Sequence, residues 1–133
     1  MDGSTTSLRA GSYAAGLARR QGAEVTVVFV APIGSLVAAA PGGAELAAAQ
    51  RQAVSRAADD LRRQAEQGAR DLGIPMTFIA AEGDAYTEIR RIADEIRADA
   101  VVVGASTKAG HRLIGSLAVR LVRAGRWPVT VVP

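Results

Sequence analysis

Residues 98–116 read ADAVVVGASTKAGHRLIGS. From Ala100 to Gly104 the run is uncharged and β-branched, the composition of a strand buried on both faces. A loop bearing glycine and serine, residues 104–116, then opens into a stretch where Leu117, Ala118, Leu121 and Val122 recur at helical spacing. Gly125 ends that helix, and Pro128 to Val132 forms a second apolar strand. Strand, glycine loop, helix and strand in this order predict a right-handed crossover between parallel strands.

Upstream the same alternation continues. Residues 24–32, EVTVVFVAP, form another nearly continuous β-branched run. Before it, Ala10, Ala14, Leu17 and Ala18 make one apolar helical stripe, with Ser4 or Ser7 as the opening cap and Gly22 as the stop. After it comes a loop at 33–43, then a long helix from Ala44 to Leu72 with Leu46, Ala53, Ala57, Leu61, Ala65 and Leu72 near one stripe. The pairs Arg56/Asp60, Asp59/Arg63 and Glu66/Arg70 mark its solvated side. Gly73 and Pro75 end it, and Met76 to Ala81 is a short strand. Asp84 caps a helix whose Ile89, Ile92, Ala93 and Ile96 face inward. The expected order is α-β-α-β-α-β-α-β, with strands at 24–32, 76–81, 100–105 and 128–132. That is an α/β fold, a parallel sheet with helices on both faces, in one domain spanning 1–133.

Composition removes several classes of function. There is no cysteine and a single histidine, which excludes a disulfide scaffold, a zinc ribbon and a multi-histidine metal site. Sixteen basic residues face 13 acidic ones, and only Lys108 is a lysine. The arginines are interleaved with acids rather than clustered, so no nucleic-acid stripe is expected. Val25 to Ala44 is uncharged over the length of a membrane span, but Pro32, Gly34, Pro41, Gly42 and Gly43 interrupt it. No membrane segment or leader is expected, and the location expected is cytoplasmic.

Ligands of open parallel sheets sit beyond the carboxyl ends of the strands. Here those places are DGS at 2–4, Val30–Pro32, Gly83–Asp84 and the loop 104–116. The loop is the most informative. Its glycines let backbone amides approach an anion, and the helix start adds unpaired N–H groups and a positive dipole end. Ser116 adds a hydroxyl, with Lys108, His111 and Arg112 nearby. Each of these residues also has a plainer role. Asp2, Gly3 and Ser4 suit a turn and helix cap, Gly104 and Gly115 suit close helix–strand packing, and Trp127 suits an anchor between helix and strand or a contact between two copies. The loop holds no carboxylate to act as a general base, so at most slow turnover of a phosphate-bearing ligand is expected, and no catalytic residue or metal ligand.

Taken together, DGS-x-x-S at 2–7, LARRQGAEVTVVFV at 17–30, GD at 83–84, ADAVVVGAS at 98–106, GS at 115–116 and RWPVTVVP at 126–133 resemble the universal stress protein family over almost the whole chain. The resemblance implies a Rossmann-like three-layer sandwich of the adenine nucleotide alpha hydrolase-like kind. It also implies a homodimer through the C-terminal strand and, in one branch, ATP with Mg2+ held by its phosphates. Carried onto this sequence, it places nucleotide contacts at Asp2, Val30, Gly104, Ser106, Thr107, Gly115, Ser116 and Leu117. Thr107 stands where the ATP-binding branch has its middle glycine, and the loop is shorter than that branch's. The other branch implied is a dimeric interaction protein that binds no ATP and works through protein partners.

The family also runs an apolar central strand directly into the DGS, where this sequence has Met1. The expectation is that the natural start lies upstream. For the chain as given, direct closure of the neighbouring strands onto each other is expected over a strand donated by another chain.

Overall fold

A computed structural model describes residues 1–33, 41–105 and 116–133. The elements alternate as α1 (Thr5–Gln21), β1 (Val25–Ala31), α2 (Gly43–Leu72), β2 (Met76–Glu82), α3 (Ala85–Glu95), β3 (Val101–Gly104), α4 (Ser116–Ala124) and β4 (Val129–Val132). Capping sets the boundaries. The Ser4 hydroxyl accepts from the Ser7 amide to open α1, and the Asp84 carboxylate accepts from the Thr87 amide to open α3. Gly22, Gly73 and Gly125 end α1, α2 and α4 at positive φ, which glycine adopts without Cβ strain.

All strand pairing is parallel. β1 pairs with β2 from Val25↔Met76 to Ala31↔Glu82, and β3 pairs with β4 from Val101↔Val129 to Gly104↔Val132. Among the described residues these are two separate two-stranded sheets. The expected direct closure is therefore not what the chain does: β1 and β3 do not pair. The physical reason lies in α1, which packs on β1 and on both strands of the second sheet and so rests across the interval between them. The Met1 α-ammonium also donates to the Val28 carbonyl on the edge of β1 that closure would need.

The core divides with the sheet. One cluster joins Phe29, Ala31 and Leu61, with Met1, Val54, Ala58 and Phe78 packed against it. The other joins Ala93, Val101 and Leu121, with Tyr86, Ile89, Leu117 and Trp127 around it. Val101 faces α3 and α4 while Gly104 faces α1, so helices cover both sides of β3. Trp127 is half-buried against the second cluster, as an anchor would be.

Several stripe assignments shift. Leu46, Ala53 and Ala57 are exposed, and the inward side of α2 runs instead through Val54, Ala58, Leu61, Ala65 and Ala69. The described contacts of that side are with β1 and β2, where Val54, Ala58 and Leu61 pack around Phe29, Ala31 and Phe78. Ile96 and Val122 are exposed as well. No helix among the described residues is long and apolar enough to cross a membrane.

Candidate functional site

The carboxyl ends of β1 and β3, the turn before α1 and the first turns of α3 and α4 face the same end of the molecule. Parallel strands followed by crossover helices require this. Met1 is bonded to β1 through Val28, and the next few residues carry the chain across to β3.

Asp2 makes a turn on itself. Its Oδ1 accepts from the Ser4 amide at 3.0 Å, and its own amide points to the Ser7 hydroxyl at 3.4 Å. Ser7 Oγ donates to the Ser4 carbonyl at 3.0 Å, and Ser4 Oγ lies 3.3 Å from Thr6 Oγ1. Burial is the largest single influence on the Asp2 carboxyl and opposes its charge. The hydrogen bonds from Ser4 and Ser7 and the neighbouring α-ammonium together outweigh it, so its pKa lies below the usual aspartate value. Asp2 is therefore an ionised, exposed carboxylate with acceptor capacity beyond its turn.

Gly104 ends β3 hard against α1. A Cβ there would lie 2.6 Å from the Thr6 carbonyl carbon and 2.8 Å from the Ser7 nitrogen. Close packing accounts for this glycine without any ligand. Val30 sits one residue before the end of β1, opposite Ala81, and the β1–β2 ladder closes with the Gly83 amide donating to the Ala31 carbonyl at 2.8 Å.

Ser116 is exposed at the start of α4, while the Leu117 side chain is half-buried in the second core cluster. That leaves the backbone of Leu117, not its side chain, available at the helix start. Ser106, Thr107 and Gly115, with Lys108, His111 and Arg112, lie outside the described residues. The structure thus brings Asp2, Val30 and Gly104 to one end of the strands, with Ser116 heading the helix that follows β3.

Thr6 and Arg120 escaped sequence reasoning, and Ser7 was read only as a possible cap and as part of DGS-x-x-S. Thr6 is buried beneath the Ser4 hydroxyl, and Ser7 ties the Asp2 turn to α1. Arg120, one turn into α4, donates to both oxygens of Asp84 at 3.2 and 3.3 Å, and its guanidinium lies 4.2 Å from the Tyr86 ring centroid. This joins the starts of α3 and α4. The hydrogen bonds from the Thr87 amide and hydroxyl, then Arg120, hold Asp84 below the usual aspartate range. Nothing in the sequence pairs Arg120 with Asp84, 36 residues away.

The universal stress protein family model matches residues 1–133. A universal stress protein of Methanocaldococcus jannaschii is 29% identical over 134 residues, covering 98% of this chain and 77% of that protein. The structure of a universal stress protein from Lactobacillus plantarum superposes with a TM-score of 0.84 at 23% identity, covering 100% of this chain and 93% of the other. A universal stress protein solved in complex with cAMP superposes with a TM-score of 0.67 at 23% identity, covering 99% and 90%.

Proposed function

Because the chain belongs to the universal stress protein family, we propose that it is a regulatory module that binds ATP or a related adenine nucleotide at the carboxyl ends of its strands. The observation that carries this reading is the ionised, exposed Asp2 carboxylate in the turn that leads from Met1, bonded to β1, into α1. A carboxylate there is suited to accept from ribose hydroxyls, and a helix start is suited to phosphate oxygens. A family member with cAMP bound supports the adenine part of the reading.

In this reading Asp2 holds the ribose, the end of β1 at Val30 flanks the base, and Ser116 with the Leu117 amide meets phosphate. Ser106, Thr107 and Gly115 complete the contacts from the loop. Bound ATP would supply a charged, Mg2+-accompanied triphosphate as a conformational ligand. The protein's own part is to orient it through the Asp2 turn and the start of α4, with turnover slow or absent and the module acting in the cytoplasm. Calorimetric titration with ATP, AMP and cAMP, with and without magnesium, tests the reading. Saturable binding of an adenine nucleotide supports it, and heats indistinguishable from dilution for all three reject it.

A second reading is a dimeric interaction protein that binds no ATP. The Gly104 packing favours it, because the glycine is explained by Thr6 without a ligand. The edge of β4 away from β3, unpaired among the described residues, favours it too. Pro128 and Val132 direct their carbonyls to β3, so Val129 and Val131 direct their backbone groups away from it. Such an edge suits pairing with a second copy of the chain or with a partner strand.

A further inference from the structure

Several of the described ion pairs lie within one helix, as Arg63–Asp60 and Arg91–Glu95 do. Two join distant parts of the chain. Arg126–Asp94 ties the end of α3 to the residues after α4. Arg120–Asp84 stands at the other end of the same two helices, where the strands have their carboxyl ends. This pair therefore lies at the end of the sheet where ligands of such folds bind.

Arg120 follows Ser116 by four residues, so the two share a face of α4 and lie about 6 Å apart along its axis. Long side chains on a helix lean toward its amino end, which carries the Arg120 stem back over the first turn. The guanidinium carbon comes to rest 4.2 Å from the centroid of the Tyr86 ring. That ring packs against the second core cluster, so it is an anchored platform. Attraction to the ring face holds the cation close without fixing where its N–H groups point.

Asp84 holds the cation loosely. Nη1 and Nη2 of Arg120 donate to Oδ1 and Oδ2 at 3.2 and 3.3 Å, beyond the about 2.7–2.9 Å of a tight charge-assisted pair. Both side chains are half-exposed, and exposed pairs contribute little. Nor does the carboxylate depend on Arg120. Its Oδ2 already accepts from the Thr87 amide and the Thr87 hydroxyl, each at 2.9 Å. When the guanidinium turns away, Asp84 keeps both of those bonds and its solvent.

We propose that Arg120 is a specificity-determining residue of the nucleotide site, which exchanges the Asp84 carboxylate for phosphate oxygens of a ligand at the start of α4. The inference deepens the functional reading above and rests on it. Tyr86 keeps the cation in place through the exchange, and Asp84 is the competitor that phosphate displaces. A ligand with a phosphate chain gains the arginine, whereas adenosine, with none, does not. Arg120 thereby sets the preference for nucleotide over nucleoside.

The test titrates ATP by calorimetry, with adenosine measured in competition, in the parent, Arg120→Met, Asp84→Asn and the double variant. Methionine keeps an apolar stem over Tyr86, and asparagine keeps a capping oxygen for Thr87. Arg120→Met should lower the ratio of ATP to adenosine affinity by about tenfold or more, because charge-assisted bonds to phosphate are lost. Asp84→Asn should raise ATP affinity by about two- to fivefold, and the gain should vanish when Arg120 is replaced as well. A merely structural clasp predicts the opposite sign for Asp84→Asn, since its loss would loosen the start of α4. The proposal fails if Arg120→Met changes the ratio by less than about threefold, if Asp84→Asn weakens ATP binding, or if its gain persists in the double variant. Either single variant suffices to refute it should the other not fold. A parent that binds AMP or cAMP but not ATP overturns this inference alone, and one that binds none of the three overturns the functional reading with it.

Discussion

A Cβ on Gly104 would lie 2.6 Å from the carbonyl carbon of Thr6, closer than side-chain and backbone atoms approach in folded proteins. The contact joins the last residue of β3 to the first turn of α1, and both partners are main chain, so neither can rotate aside. Gly104→Ala should therefore destabilise the protein by about 1–3 kcal/mol with no nucleotide present. Denaturant unfolding of the ligand-free protein measures this. A change below about 0.5 kcal/mol would mean that α1 shifts freely on β3.

The buried Met1 ammonium gives a pH dependence of definite sign. Its pKa is lowered on folding from the ordinary 8.0, burial outweighing the attraction of Asp2. Between the lowered value and 8.0 the unfolded chain binds more protons than the folded one, so stability rises with pH across that window. Acetylation of the amino group should flatten the rise and increase stability at pH 6, because the amide keeps a donor for Val28 without the charge. Melting curves of the two forms between pH 6 and 8.5 check this, and parallel curves would exclude a desolvated ammonium.

Asp84 adds a second rise of stability with pH, at the acid end, because folding favours its charged form. Its folded pKa lies below the ordinary 3.8, held there by the Thr87 hydrogen bonds and Arg120. Its contribution is complete above that ordinary value and is lost as pH falls through the lowered one. Asp84→Asn, which keeps a capping oxygen but loses the charge, should flatten the acid limb of the stability profile. Arg120→Met should flatten it less, since the Thr87 bonds remain. Equal effects of the two variants would put the ion pair ahead of the cap.

The element order was legible from the residues because buried valine runs alternate with helical stripes, and glycines and caps punctuate them. Ser4, Asp84, Gly22, Gly73 and Gly125 all stand where local chemistry placed them. Illegible were the properties that depend on what lies opposite. Leu46 and Val122 fall on good helical stripes yet are exposed, because periodicity identifies a face but not its partner. The failure of β1 and β3 to close was missed for the same reason. Pairing depends on the space left by α1 across both ribbons, which no pattern within either strand encodes. At the site, Asp2 and Gly104 stand out as residue types, while the Thr6 contact and the Arg120–Asp84 pair arise only from the folded chain.

The edge of β4 away from β3, unpaired among the described residues, yields a test of self-association. Val131 turns its amide away from β3, whereas Thr130 lies in the β3 ladder. If two copies pair edge to edge, Val131→Pro should abolish the dimer in light scattering while leaving the melting temperature of the monomer within about 5 °C, because no ladder bond to β3 is removed. Thr130→Pro should unfold the second ribbon instead. A dimer that survives Val131→Pro would require a different surface.

Asp2 separates a ligand contact from a turn. Its Oδ1 already serves the Ser4 amide, and an asparagine side-chain oxygen can serve it equally well. Asp2→Asn therefore preserves the turn and the opening of α1 while removing the negative charge. Were the carboxylate needed only for the turn, ATP affinity and stability would both stay near those of the parent. If it accepts from ribose hydroxyls, two charge-assisted bonds become weaker neutral ones, and affinity should fall by about tenfold or more with little change in unfolding free energy. Titration calorimetry and denaturant unfolding on the same preparation distinguish the outcomes. Asp2→Ala is the necessary companion, because it removes the turn as well: it should lower both quantities, and a loss of affinity confined to Asp2→Ala would assign the residue to the turn alone.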